Sequence, residues 1–387
     1  MIHWPDGLDA DRFLADFWQR QALFMPAAFN PWICPISPEE LAGLACEPDA
    51  ESRIVAGDEH SGWRLRNGPF EESDFLSAAD TGWTLLVQDV EKHLPELRPV
   101  LAPFRFLPEW RIDDLMVSYA TPGGSVGPHV DAYDVFLLQG LGRRTWRLDP
   151  NPGDLGHRSD STLRVLQDFK PETEVSMGPG DLLYLPPGVA HHGAGEEASI
   201  TLSIGFRAPS AGELLSAAGE LLDRYRPELR YADPGLGRSE SRGGLISQAA
   251  LGRGKRLLDD VWPLEPMIAD EALGRLVTGS KPWLRAGQPI EACEAEIIGA
   301  RLAAGDCLER SASARFAWVR SHNRVLLFAD GESWHLQDPA EEIAAHLCDA
   351  RRFDAGMLPP EGPARDPILE LLATLLEQGS VEWKEDL

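Results

Sequence analysis

Between residues 111 and 207 the sequence breaks into short apolar runs: Leu115 to Tyr119, Val135 to Leu138, Thr145 to Leu148, Thr173 to Met177, Leu182 to Leu185 and Ser199 to Phe206. Gly and Pro separate them, and no helical period lies between. Many short strands at this spacing point to an antiparallel barrel or jelly roll.

The flanks read differently. Asp9 or Asp11 can cap a helix whose apolar face is Phe13, Leu14, Phe17 and Trp18, with Pro26 beyond its end. Mixed segments follow to about residue 110, with a turn at Asn67-Gly68-Pro69 and a helix expected from Val87 toward Leu97. After Pro209, Leu214, Leu215, Leu221 and Leu222 recur at helical spacing, and a second helix is expected from Leu251 to Asp260. A loop is expected between them at Gly235 to Gly244. The order then becomes a helix (Ile290 to Ala303), strands at Phe316 to Val319 and Val325 to Phe328, an Asp330-Gly331 turn into Ser333 to Leu336, and helices near Ile343 and Ile368. That order fits a small α+β module of winged-helix type.

At 387 residues two to three domains are expected, and 43% hydrophobic content excludes a disordered chain. The net charge of −26 repels nucleic acid and anionic membranes and attracts basic partners, although acidity also serves solubility. Residues 280 to 387 hold 19 acidic against 11 basic side chains, the wrong sign for a DNA-binding winged helix. Five scattered cysteines, with no Cys-x-x-Cys pair, argue against both a disulfide framework and a thiolate zinc site. With no basic, apolar leader at Met1 and no long apolar run, the expected location is cytoplasmic and off the membrane.

Two segments carry chemistry. In Gly127-Pro128-His129-Val130-Asp131, residues 129 and 131 project to one face of a strand, so an imidazole and a carboxylate can reach one ion. Gly180 to His192 reads as a turn, a buried strand, a Pro186-Pro187-Gly188 corner and a histidine opening the next strand. A second imidazole from there would complete a 2-His-1-carboxylate set, for which iron(II) is the natural occupant. His191 and His192 compete, since adjacent strand residues face opposite ways. His3, His60, His93, His157, His322, His335 and His346 lack ligand spacing and read as ordinary surface or core histidines.

The strings Trp110 to Ser118, Pro122 to Phe136 and Gln139 to Arg147 resemble the bacterial JmjC ribosomal oxygenases, as do Phe17 to Gln21 and Ser203 to Pro209. The resemblance spans the whole chain, strongest from 110 to 209 and weakest beyond about 230. It implies an α+β fold in three parts. Residues 1–209 form a double-stranded β-helix, the cupin or JmjC jelly roll, with N-terminal helical elements. Residues 210–278 form a helical dimerisation region, and 279–387 a winged-helix-like domain.

By the same resemblance His129, Asp131 and His191 bind Fe(II), leaving His192 as a solvent or rim residue. Ser118 and Arg144 hold the distal carboxylate of 2-oxoglutarate, and dioxygen is the other co-substrate. Physics agrees about Arg144, because a buried carboxylate calls for a bidentate cation; Arg143 then faces outward as a surface charge. The family's reaction is hydroxylation of an arginine β-carbon in a basic ribosomal protein, the sixteenth of the large subunit, by a homodimer. Asp113, Asp114, Tyr133 and Asp134 are candidates to meet the cationic side chain, with a turn as the alternative role for Asp134. The leucine stripe is expected to pack on the barrel or on a second subunit. The rival readings are a JmjC lysine demethylase, which an aromatic cage would mark, a non-enzymatic cupin, and a DNA-binding regulator using the C-terminal part, against which its acidity argues.

Overall fold

Ser199–Phe206 alternates Ile200, Leu202, Ile204 and Phe206 with Ser199, Thr201, Ser203 and Gly205, yet all eight residues are buried. A strand of that kind lies between two packed layers, so its polar face looks into the protein. In the computed structural model, residues 1–384 are described apart from 154–155, 160, 162, 235, 237–245, 282, 285–292, 322–323 and 337–340. Contacts divide the chain into two units, Met1–Ala208 with Lys281–Ala286, and Pro209–Ser280 with Gly287–Leu387.

The first unit holds twelve strands among its described residues. These are β1 (Leu23–Met25), β2 (Ser52–Asp58), β3 (Gly62–Asn67), β4 (Trp83–Val87), β5 (Ile112–Ala120), β6 (His129–Val130), β7 (Val135–Leu141), β8 (Arg144–Asp149), β9 (Thr173–Met177), β10 (Leu182–Leu185), β11 (Ala190–Gly195) and β12 (Ser199–Phe206). They make an eight-stranded sheet, β1-β10-β7-β12-β5-β4-β2-β3, and a four-stranded sheet, β6-β11-β8-β9, with antiparallel neighbours throughout. This is the expected jelly roll.

One face of the large sheet is covered by α1 (Ala10–Asp16), capped by Asp9, whose side chain accepts from the Arg12 N–H. Phe13 of α1 is fully buried among Trp18, Phe136 and Tyr184. Phe136 and Leu138 of β7, Leu115 and Val117 of β5, and Ile200 to Phe206 in alternation all belong to that core. Their strand neighbours, among them Asp114, Met116 and Ser118, project to the opposite face by pleating.

The region before residue 110 is less helical than its sequence suggests. Four strands, β1 to β4, extend the large sheet, and Leu85, Leu86 and Val87 are buried between β2 and β5. No helix runs from Val87 to Leu97: Val87 closes β4, and only α4 (Val90–His93) is α-helical, after α2 (Pro38–Leu44) and α3 (Glu72–Leu76). Pro95, Pro99 and Pro103 cannot donate the backbone bonds of an α-helix, and Pro95–Phe104 winds as 3-10 turns.

In the second unit α5 (Ala211–Tyr225), α6 (Gln248–Asp259) and α7 (Pro266–Thr278) precede the C-terminal module. Part of the leucine stripe packs on a helix of its own unit. Ala218 and Leu221 of α5 bury against Ile268 and Ala272 of α7 in the same chain, while Leu215 stays 51% exposed. No residue of α6 is buried, and its Leu251 and Leu258 are exposed.

The module continues with α8 (Ala295–Ala303), β13 (Leu308–Arg310), β14 (Phe316–Ser321), β15 (Arg324–Ala329), β16 (Glu332–Leu336), α9 (Glu341–Asp349), β17 (Arg352–Phe353), α10 (Asp366–Glu377) and β18 (Val381–Trp383). Asp330 and Gly331 both take positive φ, as their tight turn requires. Helix α8 starts five residues later than the sequence suggested, and 290–292 lie outside the described residues, as do His322 and the 235–244 loop except Leu236. Among the described residues no helix is long and apolar enough to cross a membrane.

Candidate active site

Strand pairing brings the two chemical segments together. β6 and β11 align His129 opposite His191, with ring centroids 4.2 Å apart. Asp131 follows β6, and its Oδ2 lies 3.6 Å from His191 Nε2 and 4.0 Å from His129 Nε2. The candidate ligand atoms of the three residues all fall within 4.8 Å of one another. Gly188, at the Pro-Pro-Gly corner with φ +89°, donates its N–H to the Asp131 carbonyl at 2.9 Å and ties the two segments.

Each imidazole is also oriented from behind. His129 Nδ1 lies 2.9 Å from the Gly127 carbonyl and His191 Nδ1 3.0 Å from that of Val189. A carbonyl can only accept, so Nδ1 carries the proton and Nε2 keeps its lone pair for a metal. Burial, helped by neighbouring His129 and opposed by Asp131, lowers the His191 pKa to about 4. Two imidazole nitrogens and one carboxylate therefore converge, a donor set that fits ferrous iron.

His192 points the other way, as pleating demands, but it is no rim residue. It is 7% exposed, edge-on to Trp63 and Phe169, and its pKa falls to about 4 through burial first and Arg147 second. Sequence gave no hint that β3 and Phe169 cover the outer face of the small sheet here. The other described histidines stand apart from the trio.

Arg144 opens β8 opposite Gly195 and shares the inner face of the small sheet with Trp146 and Leu148. It is buried, and Nη1 donates to Ser118 Oγ at 3.0 Å across the barrel. Nε and Nη2 have no hydrogen-bond partner among the described residues. Burial lowers its pKa to about 10, so it stays cationic at neutral pH. A buried guanidinium with two idle donors is a strong anion site, and it fits a carboxylate. Arg143 is exposed, as expected.

The four candidates for a cationic ligand separate clearly. Asp134 is fully buried and accepts from Tyr184 Oη (2.6 Å), Gln19 Nε2 (2.9 Å) and Arg111 Nη2 (3.2 Å), so it knits the core and neither meets a ligand nor merely serves a turn. Asp113 is paired with Arg207 at 3.0 Å. Tyr133, 43% exposed, stands beside Asp131. Asp114 lies two pleats along β5 from Ser118 on the same face, next to Gly205, where a Cβ would come within 3.0 Å of its Oδ1. Burial raises the Asp114 pKa to about 7, with Lys281 pulling it down and Asp89, Asp113 and Glu91 pushing it up. Asp89 and Lys281 carried no sequence signal, being far from Asp114 and from each other along the chain.

Replacing His129, Asp131 or His191 by Ala is expected to weaken ferrous or manganous ion binding by more than about 100-fold in calorimetric titration. His192→Ala should retain the ion. A buried neutral His192 means the unfolded state binds more protons between its ordinary pKa and about 4; stability present above the ordinary value is thus lost as pH falls through that window, and His192→Ala should flatten this acid slope in melting temperature. Arg144→Met should weaken 2-oxoglutarate binding by about 2 to 5 kcal/mol, roughly 30-fold to several-thousand-fold, read as KM.

Comparison with known proteins covers the same stretch of the chain. Residues 99–214 match the JmjC domain and 257–382 the ROXA-like winged helix. The Escherichia coli ribosomal protein uL16 3-hydroxylase is 42% identical over 234 residues, an aligned stretch that spans 60% of either chain. A probable ribosomal oxygenase of Haemophilus influenzae is 28% identical over 99% of this chain and 96% of its own. A structure of the Escherichia coli ribosomal oxygenase YcfD, in complex with cobalt and 2-oxoglutarate, superposes with a TM-score of 0.78 at 31% identity, covering 98% of this chain and 99% of that one. With that identity over nearly the full length of both, the chain belongs to the bacterial JmjC-domain ribosomal oxygenase family.

Proposed function

We propose that the protein is an iron(II)- and 2-oxoglutarate-dependent oxygenase that hydroxylates an arginine, at its β-carbon, in the sixteenth protein of the large ribosomal subunit. The observation that carries this reading is one barrel holding both the His129, Asp131 and His191 trio and the buried Arg144 with two idle donors. Ferrous iron, when bound, would supply the redox chemistry by which dioxygen gives one oxygen atom to the decarboxylation of 2-oxoglutarate to succinate and the other to an unactivated C–H bond.

The chain's own groups do the rest. His129, Asp131 and His191 hold the ion, with Gly127 and Val189 carbonyls fixing the imidazoles. Arg144 and Ser118 take the far carboxylate of 2-oxoglutarate. Val135, Leu137, Trp146 and Leu183 keep that end of the barrel dry, which strengthens each charge contact. Asp114, on the Ser118 face of β5, is the carboxylate placed to receive a guanidinium. The substrate class is supported by the uL16 hydroxylase relative and by the net charge of −26, which suits a basic ribosomal protein and no nucleic acid.

We further assign 1–209 to the oxygenase part, 210–278 to a helical dimerisation region and 279–387 to the winged-helix-like part of a cytoplasmic homodimer. Exposed Leu215, Leu251 and Leu258 in the helical region support the dimer. Light scattering should give about twice the 42.6 kDa chain mass at micromolar concentration.

Enzyme with iron, ascorbate and 2-oxoglutarate should add one oxygen to arginine in a peptide of that ribosomal protein, seen by mass spectrometry. Raising salt from about 50 to 500 mM should lower kcat/KM more than kcat, because screening weakens encounter rather than chemistry. No added oxygen on arginine, with formaldehyde released from a methyl-lysine peptide, would sink the hydroxylase reading in favour of a demethylase.

A further inference from the structure

We infer that Lys281, which lies outside the barrel sequence, is a positioning residue for the substrate's cation: it keeps Asp114 ionised and holds it on the face of β5 that carries Ser118. The inference rests on the arginine reading above and names the group that makes it work.

The Lys281 side chain is 12% exposed. Its ammonium donates to both oxygens of Asp89 at 3.0 and 3.1 Å and to Asp114 Oδ2 at 3.3 Å, and lies 3.4 Å from Asp113 Oδ2. Trp283, two residues on, donates its indole N–H to Asp89 Oδ2 at 3.1 Å and sets its ring 5.8 Å from the same ammonium. Asp89 is itself fully buried, at a left-handed φ of +52° where α4 begins. Lys281 is thus held from two sides and grips Asp89 with more contacts than Asp114.

Charge balance gives this arrangement its role. Asp89, Glu91, Asp113, Tyr133 and Lys281 are the charged or titratable groups facing Asp114. Asp113 also has Arg207 at 3.0 Å, and Glu91 has Lys92 at 3.0 Å and the Leu115 N–H at 3.0 Å. Among the described residues the ion-pair partner of Asp89 and Asp114 is Lys281. Without it, two buried carboxylates would face each other beside two more, and Asp114 would take up a proton. A neutral carboxylic acid loses most of its attraction for a guanidinium. With Lys281 in place only Oδ2 is engaged by the ammonium, and the missing side chain of Gly205 leaves Oδ1 uncrowded.

The sign follows from the shift already described. Asp114 is raised by burial and lowered by Lys281, so acid removes its charge near neutrality and loss of Lys281 brings that point to higher pH. A side chain that merely filled space would leave the pH profile where it was.

The test is steady-state kinetics of the full-length iron enzyme on the ribosomal-protein peptide from pH 6 to 9.5, taken as about that range. Lys281→Met should raise the peptide KM about 10-fold or more at neutral pH, leave the 2-oxoglutarate KM within about twofold, and move the acid limb of kcat/KM up by about one pH unit. The deficit should shrink in alkali, and Lys281→Arg should restore most of the affinity. Trp283→Phe, a milder change, should move peptide KM in the same direction, and covers the case in which Lys281→Met fails to fold. A lower peptide KM in Lys281→Met would make the lysine a competitor and overturn the inference, as would an unchanged KM or a deficit constant across pH and not rescued by Arg. Asp114→Asn separates the two levels. If it leaves peptide KM unchanged, the arginine reading at Asp114 fails; if it raises KM while Lys281→Met does not, only the role of Lys281 falls.

Discussion

The pairing of β6 with β11 is the constraint on which the site depends. β6 is two residues long, and its register with β11 is what places His129 across from His191. A slip of one residue would turn His192 inward and send His191 toward Trp63 and Phe169. Several features guard against that slip. β11 is also paired along its length with β8, Gly188 is tied to the Asp131 backbone, and His192 is locked between two aromatic rings on the outer face. The facing of the two imidazoles is therefore a product of sheet register, and Asp131, just past β6, is tied in through its backbone bond from Gly188.

The second principle of the architecture is that buried charges come in two kinds. Asp134 is satisfied within the chain, by Tyr184, Gln19 and Arg111, and it joins the N-terminal segment to the barrel. Arg144 is left partly unsatisfied, with one donor used on Ser118 and two idle. The first kind has its desolvation offset within the chain; the second leaves donors that a ligand can satisfy. Sorting the buried charges this way separates structural groups from functional ones more sharply than burial or charge alone.

Much of this was legible in the sequence. Ser199–Phe206, Thr173–Met177 and Leu182–Leu185 match the strands read from their composition, because apolar runs bounded by Gly and Pro have few other uses. The pleat likewise put His129 and Asp131 on one face. What was hidden depends on distant partners. The strands before residue 110 alternate weakly and form because a sheet edge already exists for them. His192 looked exposed because nothing local announces Trp63 and Phe169. Asp134 reads as a ligand contact or a turn residue because its three partners lie 23 to 115 residues away. The leucine stripe had a third possible partner, α7, whose own apolar pattern went unread.

The idle donors of Arg144 have a consequence for the life of the chain as a whole. An uncompensated cation in an apolar barrel penalises the folded state only while that barrel is empty, so occupancy and folding become linked equilibria. An anionic dicarboxylate at a concentration well above its dissociation constant would add to the folding free energy by mass action, with no change in any other contact. The resistance of such a chain to proteolysis then follows metabolite supply: in starved cells the protein would be shorter-lived as well as slower.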